Sequence, residues 1–295
     1  MSCFFPWLMK IDLHTHSTAS DGLYSPSELV QHASEAGLSL IALTDHDSTN
    51  GLEEARAAGA IRNLEVLPGI EVNTDHANTE VHVLGYLLEY QQAAFQQTLQ
   101  TLRDMRVTRA QRMVEKLQGI GLNITWERVR ELAAGAVGRP HVAAALVEKG
   151  YAESVADAFN RYLGRDKPGY VPRYKLAPLD AIRLINSVHG VPVMAHPAGI
   201  PDLEQLLPSL CEAGLGGIEV YYGEYDPPTV ERLKQLADTY YLIPTGGSDY
   251  HGPGIHPTPL GARDVPEESV RRLRLSAEER RRTPAPAFEL PPYRP

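Results

Sequence analysis

Seven short apolar runs recur along the chain: KIDLH, LSLIALTDH, LEVLPGIEV, EVHVLGYLL, VPVMAHP, GGIEVYY and YLIPTGGSD. They are rich in β-branched residues and leucine, and helical patterns separate most of them, which predicts βα units and a largely parallel sheet. One such helical pattern, SPSELVQHASEAGL, opens with Ser25 and Glu28 at capping-box spacing and stops at a glycine. At 295 residues the chain is long enough for one large α/β domain or for a domain carrying an inserted one.

The strand signal disappears between Leu99 and Lys175, where four segments read as helices interrupted by glycines and prolines. This stretch holds 14 of the 28 Lys and Arg residues against 8 of the 37 acidic ones, so it is +6 where the rest of the chain is −15. It is either a solvated helical insertion or an electropositive cap suited to an anionic substrate. The expected organisation is a barrel in two parts, 1–98 and 176–280, a helical insertion over 99–175 that serves as substrate cap, and an extended proline-rich tail over 281–295.

Charge and cysteine content narrow the function classes. A net charge of −9 argues against stable binding of duplex nucleic acid or an anionic membrane by overall attraction. Cys3 and Cys211 form neither a disulfide framework nor a CxxC zinc site, which makes the cytoplasm the expected location. The opening MSCFFPWLMK is much shorter than the ~20 apolar residues that span a bilayer, and it reads as an extension before the first strand, with Met9 as an alternative start.

Polar residues collect where the strand-like runs end: His14 and His16, Asp45 and His46, Glu71, His196, Asp249 and His251. Convergence at one end of a ring of strands is how a β/α barrel builds its active site. In HTH the two imidazoles are two residues apart and so point the same way from a strand. Asp21 follows in SDG, and His82 lies in EVHVLGY. A single strand-end histidine has an ordinary structural explanation. Nine such residues, the ten above without Asp45, several of them in strongly apolar surroundings, do not, because each unpaired buried polar group costs kilocalories. Shared cations remove that cost, and nine donors suit two or three ions with open positions rather than one closed structural site.

The motifs HTHSTASDG, LTDHDS, GIEV, VHVLGY, AHP and GSDYHG resemble, in order and over most of the chain, those of the PHP family, named for polymerase and histidinol phosphatase. The resemblance implies an α/β fold, a distorted seven-stranded β/α (TIM-like) barrel with a helical insertion domain. It also implies a di- or trinuclear site of manganese, zinc or iron, with His14, His16, Asp21, His46, Glu71, His82, His196, Asp249 and His251 as ligands. The insertion, with GRPHVA and YLGRDKPGYVP, is similar to the subgroup of nucleoside 3′,5′-bisphosphate phosphatases and related 5′→3′ exoribonucleases.

The expected reaction is hydrolysis of a phosphate monoester by metal-activated hydroxide. Glu71 or Asp249 would hold the ions, and His196 or His251 would protonate the leaving oxygen. Arg139 and Lys167 are the candidate phosphate contacts, with Arg165 and Tyr170 behind them. His32, His76, His141, His189 and His256 are read as structural. The expected substrate is a nucleoside 3′,5′-bisphosphate. A short 5′-phosphorylated RNA is the first alternative, and a histidinol-phosphate-type small molecule is the second.

Overall fold

The computed structural model describes residues 9–77, 79–133, 137–172, 174, 176–255 and 258–292. His256 and the N-terminal extension before Met9 lie outside the described residues. All seven predicted runs contain strands: β1 (Ile11–Thr15), β2 (Leu40–Leu43), β3 (Glu65–His76), β4 (Thr79–Tyr86), β5 (Val191–Met194), β6 (Gly217–Tyr222) and β7 (Ile243–Gly247). They form one seven-stranded sheet in the order of the sequence. β1 also lies against β7, Thr15 bridges Tyr250 just past β7, and the His16 N–H donates to the Tyr250 carbonyl at 2.9 Å. The sheet therefore curls into a nearly closed, distorted barrel.

Most neighbouring strands are parallel, but β4 runs antiparallel to both β3 and β5. The reason is the connection. Only residues 77–78 separate β3 from β4, whereas a parallel pair needs a crossover of a dozen residues or more.

Two strands depart from strict alternation. Asp12 pairs with Ile41 but Thr15 pairs with Leu43, so β1 carries one extra residue here. A bulge of this kind re-aims side chains: Leu13 enters the apolar core, and the next residue, His14, is equally buried among carboxylates. In β6, Glu219 pairs with Thr245 but Tyr221 pairs with Gly246. Glu219 and Tyr222 would lie on opposite faces of a regular strand, yet both reach the same polar cluster.

The helices follow from local signals. α1 (Pro26–Glu35) has the predicted capping box: the Ser25 N–H donates to Glu28 Oε2 at 2.8 Å, and the Glu28 N–H donates to Ser25 Oγ at 3.3 Å. α2 (Leu52–Arg62) follows β2. α3 (Ala93–Gly119) begins six residues before Leu99, the start of the expected helical insertion. α4 (Trp126–Leu132), α5 (Arg139–Glu148) and α6 (Val155–Ala158) follow, and α6 runs into a π-helical turn, Phe159–Leu163. α7 (Pro178–Asn186), α8 (Leu203–Glu212), α9 (Pro227–Thr239) and α10 (Glu267–Arg281) alternate with or follow the later strands.

The chain divides into two compact units: Met1–Phe95 with Leu176–Pro291, and Gln96–Lys175 with Pro292–Pro295. In the first, Leu13, Leu40, Leu67 and Val193 of the barrel share a core with Leu273 and Ala277 of α10. In the second, Met113, Leu117, Val129, Val142, Leu146 and Leu163 form a separate core. Each unit therefore has its own apolar interior.

Candidate metal centre

The parallel strands direct their C-terminal ends to one side of the sheet, and antiparallel β4 brings its N-terminal half to the same side. His14 ends β1 with Thr15, His16 follows it, and Asp21 lies in the next loop; His46 follows β2, and Glu71 and His82 lie within β3 and β4. His196 lies just past β5, and Asp249 and His251 lie just past β7. His196 (φ 27°) and Asp249 (φ 55°) have positive φ, which costs roughly 1–3 kcal/mol for a residue with a side chain. Both side chains point into the cluster, so the backbone is strained where donors converge. Close packing also demands Gly247, since a Cβ there would meet His14 Cβ and His14 N at 2.5 Å.

The Glu71 carboxylate is at the centre. Its Oε2 lies 3.3 Å from His14 Nε2, 3.3 Å from His16 Nε2 and 3.1 Å from His46 Nδ1. Its Oε1 lies 3.0 Å from His82 Nδ1 and 3.1 Å from His196 Nε2. Asp249 Oδ1 stands 3.3 Å from His14 Nε2 and 3.1 Å from His16 Nε2. Asp21 stands 3.3 Å from His251 Nε2 and 3.8 Å from His46 Nε2. Three overlapping groups of donor atoms result: His14, His16, Glu71 and Asp249; His16, Asp21, His46 and His251; and His46, Glu71 and His82. His16, His46 and Glu71 are each shared between two of them. The structure thus gathers all nine sequence-derived donors, with His196 held against Glu71 outside the three groups.

The electrostatics of the chain itself separate these groups. Burial works against ionisation of Glu71 and Asp249, but the surrounding imidazoles outweigh it and hold both carboxyls well below the usual range. Asp21 is lowered in the same way, chiefly by His46 and His251. His16 is pushed down to about 3 by burial, with the neighbouring His251 and His46 adding to it. His46 is also lowered, by burial. Burial opposes the charge on His82 and His251 too, but Glu71 raises the first to about 10 and Asp21 the second to about 9.

These residues fit divalent cations. His14 Nε2, both ring nitrogens of His16, His46 Nδ1 and Glu71 Oε2 are buried without a hydrogen-bond partner among the described residues. Each such atom costs about 1–3 kcal/mol; three of the nitrogens crowd around Glu71 Oε2, and His16 Nδ1 faces Asp21 at 3.9 Å. Imidazole nitrogens and carboxylate oxygens are the donor set for zinc, iron and manganese. A cation among them would satisfy several orphaned atoms at once.

Some supporting residues were not singled out from the sequence. Glu219, fully buried in β6, accepts from His14 Nδ1 at 3.0 Å and from the His196 backbone N–H at 2.7 Å. The Tyr222 hydroxyl donates to Asp249 Oδ2 at 3.0 Å. Asp12 accepts from the backbone N–H groups of Ser248 and Gly261 at 2.9 and 2.8 Å. Asp45, which the sequence did place at a strand end, accepts from Ser17 and Ser20 rather than joining a donor group; burial raises its carboxyl to about 6 despite these bonds. The available signal for Glu219 was an acid in the middle of the apolar run GGIEVYY.

The candidate substrate contacts all lie in the second unit. Arg139 opens α5, with its guanidinium 5.5 Å from the centroid of the Phe159 ring. Arg165 and Lys167 are exposed in the turn after the π-helical segment, and Tyr170 is half-buried. His141 is a helix-start residue, its Nδ1 accepting from the Gly138 N–H at 3.0 Å. Neither His32, His76 nor His189 joins a metal-capable group among the described residues.

Comparison with known proteins gives the same reading as the site. The PHP domain model matches residues 12–165. The chain is 34% identical to the 3′,5′-nucleoside bisphosphate phosphatase of Chromobacterium violaceum, over 88% of this chain and 91% of the relative. It is 35% identical to the 5′-3′ exoribonuclease Rnm of Salmonella typhimurium, over 82% of this chain and 85% of the relative. A solved structure from Bifidobacterium adolescentis, described as a metal-dependent phosphoesterase, superposes with a TM-score of 0.78 at 32% identity, covering 91% of this chain and 96% of that one. A barrel with this donor set, matched over this much of its length, belongs to the PHP domain family.

Proposed function

We propose that this metal-dependent phosphoesterase removes the 3′-phosphate from nucleoside 3′,5′-bisphosphates, such as adenosine 3′,5′-bisphosphate, to give a nucleoside 5′-monophosphate and phosphate. The observation that carries the chemistry is the Glu71 carboxylate, approached on both oxygens by five imidazoles. The substrate is supported by likeness over 91% of the Chromobacterium bisphosphate phosphatase and by the net positive charge of 99–175, which suits a ligand with two phosphates.

Two or three bound divalent ions, manganese first and zinc or iron next, would supply a water acidic enough to attack near neutral pH and would neutralise phosphoryl charge. Glu71 and Asp249, both kept ionised, are the residues proposed to hold the ions together, with the seven other donors around them. Water adds to phosphorus, the P–O3′ bond breaks, and the 3′-oxygen leaves with a proton. His196, which lies outside the three donor groups, is the proposed donor of that proton where its ring is not taken up as a ligand, its side chain being 27% exposed where Glu71 and His14 are at most 1% exposed; His251 is the alternative on the same condition. Arg139 and Lys167, with Arg165 and Tyr170, are the proposed phosphate contacts. No helix among the described residues is long and apolar enough to cross a membrane, and the cytoplasm is the proposed compartment.

Likeness to the Salmonella exoribonuclease supports a second reading, stepwise cleavage of short 5′-phosphorylated RNA. Manganese-loaded protein separates the two. Phosphate release from adenosine 3′,5′-bisphosphate at least 100-fold faster than from 5′-AMP supports the bisphosphate reading. Release of successive nucleotides from a 5′-phosphorylated oligoribonucleotide, with the bisphosphate untouched, replaces it with the exonuclease.

A further inference from the structure

Glu219 belongs to no metal-capable group among the described residues, yet it is fully buried and touches His14, which does, and His196, whose ring stands against Glu71. It lies immediately before the β6 bulge, and its two oxygens go to different strands. Oε1 is 3.0 Å from Nδ1 of His14 on β1, and Oε2 accepts the backbone N–H of His196, past β5, at 2.7 Å. We propose that Glu219 is a positioning residue that fixes the tautomer of His14 and the strained turn at His196 together, and thereby sets the affinity of the centre for divalent cations.

With Nδ1–H donated to Glu219, His14 keeps its lone pair on Nε2, the nitrogen 3.3 Å from both Glu71 Oε2 and Asp249 Oδ1. A carboxylate that holds the far nitrogen of a ligating histidine orients the ring and raises its basicity. At His196, where φ is 27°, the second oxygen anchors the backbone N–H of a residue in a costly conformation. A carboxylate offers two acceptors to these two donors. Glutamine has the same shape but only one acceptor. If its NH2 group faces His14, the imidazole proton must move to Nε2, which removes the lone pair from the centre. If it faces His196, two donors meet and the turn loses its anchor.

The test compares wild type with Glu219→Gln, both stripped by chelator and reloaded. Manganese affinity is measured by calorimetry, and imidazole nitrogen NMR of zinc-loaded wild type reports which His14 nitrogen carries the proton. The expected results are a 10–100-fold weaker manganese affinity in the variant and a wild-type His14 protonated on Nδ1 and coordinated through Nε2. A merely structural residue would lower the melting temperature and leave the affinity of the folded protein intact. An affinity change below tenfold, or coordination of His14 through Nδ1, overturns the inference. If the variant does not fold, the nitrogen assignment in wild type decides alone. The inference rests on the metal-dependent reading, and the two fail differently: wild type that takes up no divalent metal sinks that reading, whereas normal uptake unchanged by the variant sinks only the role of Glu219.

Discussion

Asp249 combines three properties that make it the most sensitive single position: a left-handed backbone, an ionised carboxylate, and contacts to His14, His16 and Tyr222. Asp249→Ala should lower metal-dependent phosphate release by more than about 100-fold, beyond the loss expected for residues that only support ligands, while circular dichroism shows the fold retained. Full activity in the folded variant would remove Asp249 from the site. Tyr222→Phe takes away one hydrogen bond to the same carboxylate, so its effect should stay near 0.5–1.5 kcal/mol, read as a small fall in melting temperature. The raised imidazoles give a pH prediction for the metal-free protein. His82 and His251, held near 10 and 9, contribute stability that is complete below the unfolded value of about 6.5 and is lost as pH rises through 9 and 10. Both must lose their protons to coordinate a cation, so metal uptake should release protons and tighten between pH 6 and 9. Calorimetry in buffers of different ionisation enthalpy measures this release, and uptake without protons would contradict the assignment.

Among the elements, the sites of donor convergence were legible because most of these His, Asp and Glu residues end or interrupt an apolar run, Asp21 alone lying in a polar loop. The hairpin of β3 and β4 was visible only in part. The polar turn DHAN marks it, but the alternation of strands and helices elsewhere favours parallel pairing. The two bulges were not legible at all. Each is an offset between residues on different strands, Asp12 and Thr15 against Ile41 and Leu43, and Glu219 and Tyr221 against Thr245 and Gly246, and no local sequence signal fixes such an offset. Glu219 stands out locally as an acid inside GGIEVYY, but its role does not, since its partner His14 is 205 residues away. The contact between β7 and β1 yields its own prediction. Gly247→Ala places a methyl group 2.5 Å from His14, an overpacking that should cost about 1–3 kcal/mol and weaken metal binding as well. Equal melting temperatures and equal metal affinity for the variant and wild type would show that β7 can yield there.

For the molecule as a whole, the nine donors fall entirely within one compact unit, built from Met1–Phe95 and Leu176–Pro291, while the second unit has its own core and most of its charge is basic. Cations that bind only the folded state stabilise it by mass action, about 2.7 kcal/mol at 100 times the dissociation constant. Manganese should therefore raise the melting transition of the barrel unit, and chelator should reverse the rise. A melting curve indifferent to both would mean that the cluster is held by hydrogen bonds alone. Whether the orphaned nitrogens and the Glu71 carboxylate surround more than one cation is read from an anomalous difference map of crystals grown with manganese. At least two peaks per chain are expected within bonding distance of Glu71, Asp249 and the surrounding imidazoles. A map with no peak at Glu71, from protein that still hydrolyses its substrate, would contradict this expectation.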